Sequence, residues 1–188
     1  MTSIENNFKI LCNKENIYLS KDKEKNMYLL EFKVKNPKIF IPNLINFKIY
    51  ELLFELNKDV IESVEIKRII NENEIDVLIL FKQFGESFGI KKKFMYVNVQ
   101  IEYSQNIIYI RSNDLSLNDT SITNFYEPMK NDLSFIRIAS SEDGHEIDLQ
   151  NIFKMSVSDE LPIFMENITG ILMKKIFHRL KLFIENLG

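Results

Sequence analysis

The sequence predicts an α+β fold in which a curved antiparallel sheet of six or seven strands packs against one long C-terminal helix. Two patterns predict it. From Ser158 to Gly188, Leu161, Met165, Ile168, Leu172, Ile176, Leu180, Phe183 and Leu187 recur at steps of three or four, the spacing of one helix face. Upstream, the apolar residues alternate with polar ones at a period of two, as they do on half-buried strands. A helix over that whole segment would be about 40 Å long, enough to cross a domain.

The elements follow in chain order. Tyr18 and Leu19 open a short strand, and Lys21–Asn26 supply its turn. Met27 to Ile41 reads as a long strand bent at Pro37, which has no amide proton to donate to a ladder. Asn43 or Asn46 caps a short helix that carries Ile45, Ile49, Leu52, Leu53 and Leu56 on one face, and Asn57-Lys58-Asp59 ends it. Val64 and Ile66 alternate with Glu65 and Lys67. Asn71–Glu74 turns the chain into Ile75, Val77, Ile79 and Phe81. Met95, Val97, Val99, Ile101 and Tyr103 form the next alternating set, and Ser104-Gln105-Asn106 leads into the strand Ile107–Ser112. Asn113–Asp132 is polar, aperiodic and overlong for a connection, which marks it as a candidate lid. Leu133–Ala139 is a strand, Glu142-Asp143-Gly144 a hairpin signal, and Ile147, Leu149, Phe153 and Met155 define the return strand.

At 188 residues the chain reads as a single domain, 1–188, with 45% hydrophobic and 27% charged residues. The net charge of −3 gives no global attraction for nucleic acid. No apolar run is long enough to span a bilayer, and the first residues lack a signal-peptide pattern. Cys12 is the single cysteine, so disulfides and thiolate metal sites are excluded and a reducing, cytoplasmic location is expected. The two histidines, His145 and His178, have no metal-ligand spacing, and no phosphate loop, dinucleotide fingerprint or nucleophile elbow occurs. The expectation is therefore no catalytic residue, no metal and no cofactor. Lys91–Lys93 read as a solvated turn, with anionic lipid headgroups as the functional alternative.

Strand phase supplies a candidate binding surface. Phe81, Val97, Val99, Tyr103, Phe135, Leu149, Phe153 and Met155 are expected to face inward, opposite Met165, Ile168, Leu172 and Ile176 on the helix. Arg137 shares phase with Leu133, Phe135 and Ala139, which would make it a polar determinant inside if those face in; the alternative is an end-of-strand side chain that reaches water. Arg111 and Arg68 carry the same ambiguity of facing.

The order of elements resembles the START lipid-transfer domain and its wider helix-grip, Bet v 1-like relatives. FKILCNKENIYLS resembles that family's opening strand, INFKIYELLFEL its first small helix, ESVEIKRIINENEIDVLILF its next hairpin, and SDELPIFMENITGILMKKIFHRLKLFIE its closing helix. Two features depart from the pattern. The usual Trp-Asp pair after the first helix is absent, and Lys91-Lys92-Lys93-Phe94 stands where Arg-Asp-Phe is usual. The resemblance implies a cavity between sheet and helix, with Asn113–Asp132 as part of its lid. It further implies non-enzymatic binding and intermembrane transfer of a lipid or other hydrophobic molecule, with transient contact at a membrane surface. Two other readings suit the same architecture: a helix-grip enzyme of cyclase or hydrolase type, and a cavity-free protein-interaction module.

Overall fold

The computed structural model describes residues 7–83, 91–156 and 167–188. Three strands come first: β1 (Phe8–Lys14), β2 (Ile17–Asp22) and β3 (Met27–Lys35). A 3-10 turn at Ile41–Leu44 and helix α1 (Ile49–Leu56) follow. Then come β4 (Ile61–Asn71), β5 (Glu74–Phe81), β6 (Lys93–Ser104) and β7 (Ile107–Asp114). Helix α2 (Thr120–Thr123) and the two-residue β8 (Glu127–Pro128) precede β9 (Lys130–Ser140), β10 (Glu146–Ser156) and helix α3 (Ile168–Glu185).

Nine strands form one antiparallel ladder in the order β1-β2-β3-β10-β9-β7-β6-β5-β4, and β8 pairs in parallel with β6. The expected six or seven strands were too few. One reason is β1, whose exposed Lys9, Ile10, Asn13 and Lys14 leave no alternation to read, and whose register is broken by a bulge between Ile10 and Cys12. The pairing of β3 with β10 joins the N-terminal strands to the last strand of the chain, a contact between residues more than a hundred positions apart.

One face of the sheet meets α3. Its middle row runs Ile101, Ile110, Ile136, Asn151, Leu30 and Leu19 across β6, β7, β9, β10, β3 and β2. The rows on either side hold Val99, Phe153 and Tyr28, and Tyr103, Leu149 and Phe32. Together with Ile75, Val77, Ile79 and Phe81 of β5, this inner face makes one continuous apolar core with Ile176, Phe177, Leu180 and Ile184 of α3.

At about 1.5 Å per residue the 18 residues of α3 span about 27 Å. Asn167 stands at its cap, so the expected helical stretch before it, including Met165, lies outside the described residues. The helix approaches the sheet closely at Gly170. A Cβ there would lie 2.6 Å from both Cδ1 and Cε1 of Tyr28. Tyr28 is 1% exposed and its ring stacks on Phe153 at 5.2 Å, so it has nowhere to retreat. Further along, Phe177 packs against Phe32 at 6.1 Å.

The polar side of α3 is not simply solvated. Arg179 grips Asp59 through both guanidinium nitrogens and also donates to the Asn57 side chain at 3.2 Å, while Lys175 reaches Asp59 at 2.8 Å. This clasp ties α3 to the turn that ends α1. Lys174 and His178 meet Glu15, which sits with Asn16 in the tight β1–β2 turn at positive φ. His145 donates from Nδ1 to the Ile39 carbonyl at 2.8 Å and fixes the β9–β10 turn to the chain entering α1.

The expected lid is partly built structure. β7 extends into it as far as Asp114 and β9 begins at Lys130, leaving residues 115–129. Asp119 caps α2 by accepting from Ser121 N at 2.9 Å. The far end is fastened to the start of β6: Glu127 N donates to Lys92 O and Met129 N to Phe94 O. Lys93, with its side chain buried, and Lys91 both bind Glu127 at 2.8 Å, and Lys92 binds Glu62 at 2.9 Å. The Lys91–Lys93 run is thus matched by carboxylates, which corrects the picture of a solvated turn.

Three outcomes are expected. Gly170→Ala gains helix propensity worth about 1 kcal/mol but forces a methyl into an immobile ring, at a cost of about 1–3 kcal/mol. The melting temperature should therefore fall; a rise would show that the helix and Tyr28 separate easily. Arg179 first and Lys175 second hold the Asp59 carboxyl well below the usual carboxylate range. Their contribution is present above the unfolded value near pH 4 and is lost as pH falls through the depressed one. Because Asp59 is half exposed, Asp59→Asn should cost no more than about 1 kcal/mol at pH 7 in a urea titration, and the difference from wild type should shrink with acid. Lys91 and then Lys93 lower Glu127 from 4.5 to about 2. Its support is therefore also lost on acidification, across that interval. Glu127→Gln, which leaves buried Lys93 without its carboxylate, should speed hydrogen exchange in 115–129 at pH 7 and do so less at pH 2.

Candidate functional site

The inner face between the sheet and α3 brings together most of the residues expected to line a site. Phe81, Val97, Val99, Leu149, Phe153 and Met155 lie there, each 4% exposed or less. Ile168 and Leu172 approach from α3, only partly buried against the same cluster. Tyr103 stands at the rim: it is 52% exposed and its hydroxyl donates to the Ile45 carbonyl at 3.0 Å. The apolar surface is not sealed, since Val64, Ile66, Met95, Ile136 and Met173 pack against the core yet keep part of their area exposed.

Phe135 and Arg137 are on the wrong face for the expected role. Ile138 pairs with Leu149 and Ile136 with Asn151, so these even-numbered positions of β9 face inward. Arg137 pairs with Gln150 and Tyr109, and Phe135 with Ile152 and Arg111, all on the outer face. There Phe135 stacks on Tyr109 at 5.8 Å beneath the Arg111 guanidinium, which also binds Glu102 at 3.1 Å. Arg137 borders an open groove of about 960 Å³ lined by Glu31, Lys33, Asp148 and Gln150 together with Phe32, Leu149 and, from α3, Lys181 and Glu185. Arg68 pairs with Asp76 and so also faces out.

A strip of uncharged polar groups also faces inward, with the Asp114 carboxyl at its end, opposite Val97. Ser112 pairs with Ser134, and Ser134 with Phe153, so both hydroxyls share the row of Val99 and Tyr28. Asn131, 3% exposed, donates from Nδ2 to the Ser112 carbonyl at 3.4 Å, and its own amide proton goes to Asp114 at 2.9 Å. Burial pushes the Asp114 carboxyl up. Asn151 sits in the middle row, 1% exposed, between Leu30 and Ile136. Neither atom of its amide has a partner, and Oδ1 of Asn131 has none either. A buried polar group left unsatisfied costs about 1–3 kcal/mol. The signal for Asn151 was present in the sequence: it falls in phase between Leu149 and Phe153, the one amide in an otherwise apolar alternation.

Charges buried with this core are answered from within. Lys21 reaches Asn167 at 3.2 Å and lies over the Tyr28 ring, Lys93 binds Glu127, and Lys181 binds Glu185. Asp22 accepts from the Glu24 and Lys25 amides, and Asp76 from Asn98 at 2.9 Å. Among the described residues no group of three or more His, Cys, Asp and Glu side chains is placed to hold a metal ion. No described helix is long and apolar enough to cross a membrane.

No family model matches the sequence, and no curated protein matches it. Solved structures do match the fold. The human StarD13 (DLC2) lipid transfer and protein localization domain superposes with a TM-score of 0.75 over 96% of this chain and 90% of its own, at 10% identity. Human StAR-related lipid transfer protein 5 gives 0.67 over 96% and 86%, at 13% identity. A fragment of the STAR-related lipid transfer protein from Xanthomonas axonopodis gives 0.67 over 96% and 97%, at 11% identity. The resemblance drawn from the order of elements therefore holds at the level of architecture: the chain has the START-like helix-grip fold.

Proposed function

We propose that the protein binds a lipid or other hydrophobic molecule between the inner face of the sheet and α3, and carries it between membranes without catalysing a reaction. The observation that carries this reading is the inner face itself. It is a continuous apolar surface from β5 to β2 that α3 covers incompletely, with Val64, Ile66, Met95, Ile136, Leu172 and Met173 left partly exposed. Removing such a surface from water is favourable by about 25 cal/mol per Å² of apolar area, which is the driving force a hydrophobic ligand would use.

In this reading Phe81, Val97, Val99, Leu149, Phe153, Met155, Ile168 and Leu172 form the walls and Tyr103 stands at the mouth. The proteins of the same fold described as lipid-transfer domains favour the same conclusion. Exchange would need a part of the wall to move, and the segment 115–129, held to β6 by Glu127, is the element suited to it. Collection and delivery imply transient contact with a membrane surface, in keeping with a cytoplasmic carrier.

Native mass spectrometry of protein purified from cells should show a population heavier than the chain by the mass of one lipid, released on denaturation. The same protein, once delipidated, should accelerate transfer of a fluorescent lipid between donor and acceptor vesicles. A protein that purifies empty and takes up no apolar probe would overturn the reading.

A further inference from the structure

The inner face combines an apolar lining with a buried amide that nothing in the protein satisfies, and that combination selects a kind of ligand. Asn151 projects from the central strand β10 with Leu149 and Phe153 before and after it on the same face and Leu30 and Ile136 across from it. Both atoms of its amide are buried without a partner. An amide offers two donors and one acceptor in a plane. An apolar wall gives them nothing, so the group that completes the site has to supply both an acceptor and a donor. The Ser112 and Ser134 hydroxyls extend the same polar strip: Ser134 lies diagonal to Asn151, about 7–8 Å away on the general geometry of antiparallel pairs. The adjoining Asn131 leaves a second buried acceptor, Oδ1, unmet.

The charge inventory decides between a neutral head and an ionised one. Among the described residues, buried Lys21, Asp22, Asp76, Lys93 and Lys181 are each engaged inside the protein. Arg137, the cation expected from strand phase to receive an acidic head, is on the outer face. A phosphate or carboxylate brought to the inner face would lose its hydration and meet the Asp114 carboxyl opposite Val97, while Lys21, the cation on that face, is already engaged by Asn167.

We propose, resting on the lipid-binding reading above, that Asn151 anchors the ligand and that the ligand is an uncharged lipid whose head carries both a hydrogen-bond donor and an acceptor, a long-chain amide or alcohol. The Asn151 NH₂ donates to the head's oxygen, and Oδ1 accepts from its N–H or O–H.

A competition experiment on the delipidated full chain tests this. A pyrene-labelled hydrocarbon reports occupancy, and hexadecanamide, hexadecanol, hexadecane and hexadecyl phosphate compete for it. Hexadecanamide and hexadecanol should displace the probe at concentrations at least about tenfold lower than hexadecane or hexadecyl phosphate, the ratio expected for one or two net hydrogen bonds. Asn151→Leu, which keeps the branched shape with methyls in place of the amide atoms, and the smaller Asn151→Ala should bind the probe as well as wild type and erase that preference. Arg137→Met should keep the preference. If wild type binds the probe but prefers hexadecyl phosphate or shows no preference, the assignment of a neutral ligand is overturned while the apolar site stands. A preference retained in these variants, or a marked loss of stability in Asn151→Leu and Asn151→Ala alike, would show that the amide serves the protein and not a ligand. Failure of wild type to bind the probe at all would overturn the lipid-binding reading itself. If Asn151→Leu alone fails to fold through overpacking, Asn151→Ala reads the same preference.

Discussion

The contact of Gly170 with Tyr28 sets the distance between the two layers of this protein. A ring that is buried, stacked on Phe153 and overlain by Lys21 forms a rigid seat, and only a residue without a side chain lets the helix backbone settle on it. With α3 fixed there over β2 and β3, its later turns lie along Phe32 and its polar side reaches the loops around it. Arg179 and Lys175 fasten it to Asp59, and Lys174 and His178 to Glu15. The helix is thus seated over the N-terminal strands. On the β4–β7 side of the sheet, Val64, Ile66 and Met95 remain partly exposed.

That asymmetry gives the inner face two characters. Under the helix it is a packed core, with Leu19, Leu30 and Phe153 fully buried. Away from the helix it is apolar but incompletely covered, and a polar strip runs from buried Asn151, beside Leu30 and Phe153, through Ser134 and Ser112 to buried Asn131. A protein optimised only for stability would place an apolar residue at Asn151, since nothing in the chain repays the loss of hydration there. An unmet amide in a face built of Ile, Leu, Val and Phe is therefore better understood through what the face receives than through what holds it together. The outer face makes the opposite arrangement: Lys33 with Asp148, Gln150 with Glu31 and Arg111 with Glu102 exchange charge and hydrogen bonds across strands in contact with water.

The segment joining β7 to β9 shows how a polar, aperiodic stretch can still be anchored. Its order comes from Asp119 at the start of α2, from main-chain bonds to Lys92 and Phe94, and from one carboxylate shared by two lysines. None of these has a hydrophobic period, so pattern reading saw length and polarity and nothing else. The ion pairs are local and pH-sensitive, unlike the burial that holds the strands, and this separates the stability of the segment from that of the sheet.

By itself the sequence determined most of the elements and their order, because helix and strand periods are written in local spacing. The strand β10, the α1 helix and its Asn57–Asp59 stop, the β4–β5 turn and the closing helix through Ile176 and Leu180 all follow from it. It also determined the family of architectures to which that order belongs. It did not determine which side of β9 faces in. Leu133, Phe135 and Ala139 are apolar on one phase and Ile136 and Ile138 on the other, so alternation gives two sets and no means of choosing. The register against β10 chooses: Ile138 opposite Leu149 places Ile136 and Ile138 inside and sends Phe135 and Arg137 out. The edge strand β1, the seating of Gly170 and the isolation of the Asn151 amide were likewise decided by tertiary structure alone. Each depends on a neighbour distant in sequence, and no local pattern records how far away that neighbour lies in space.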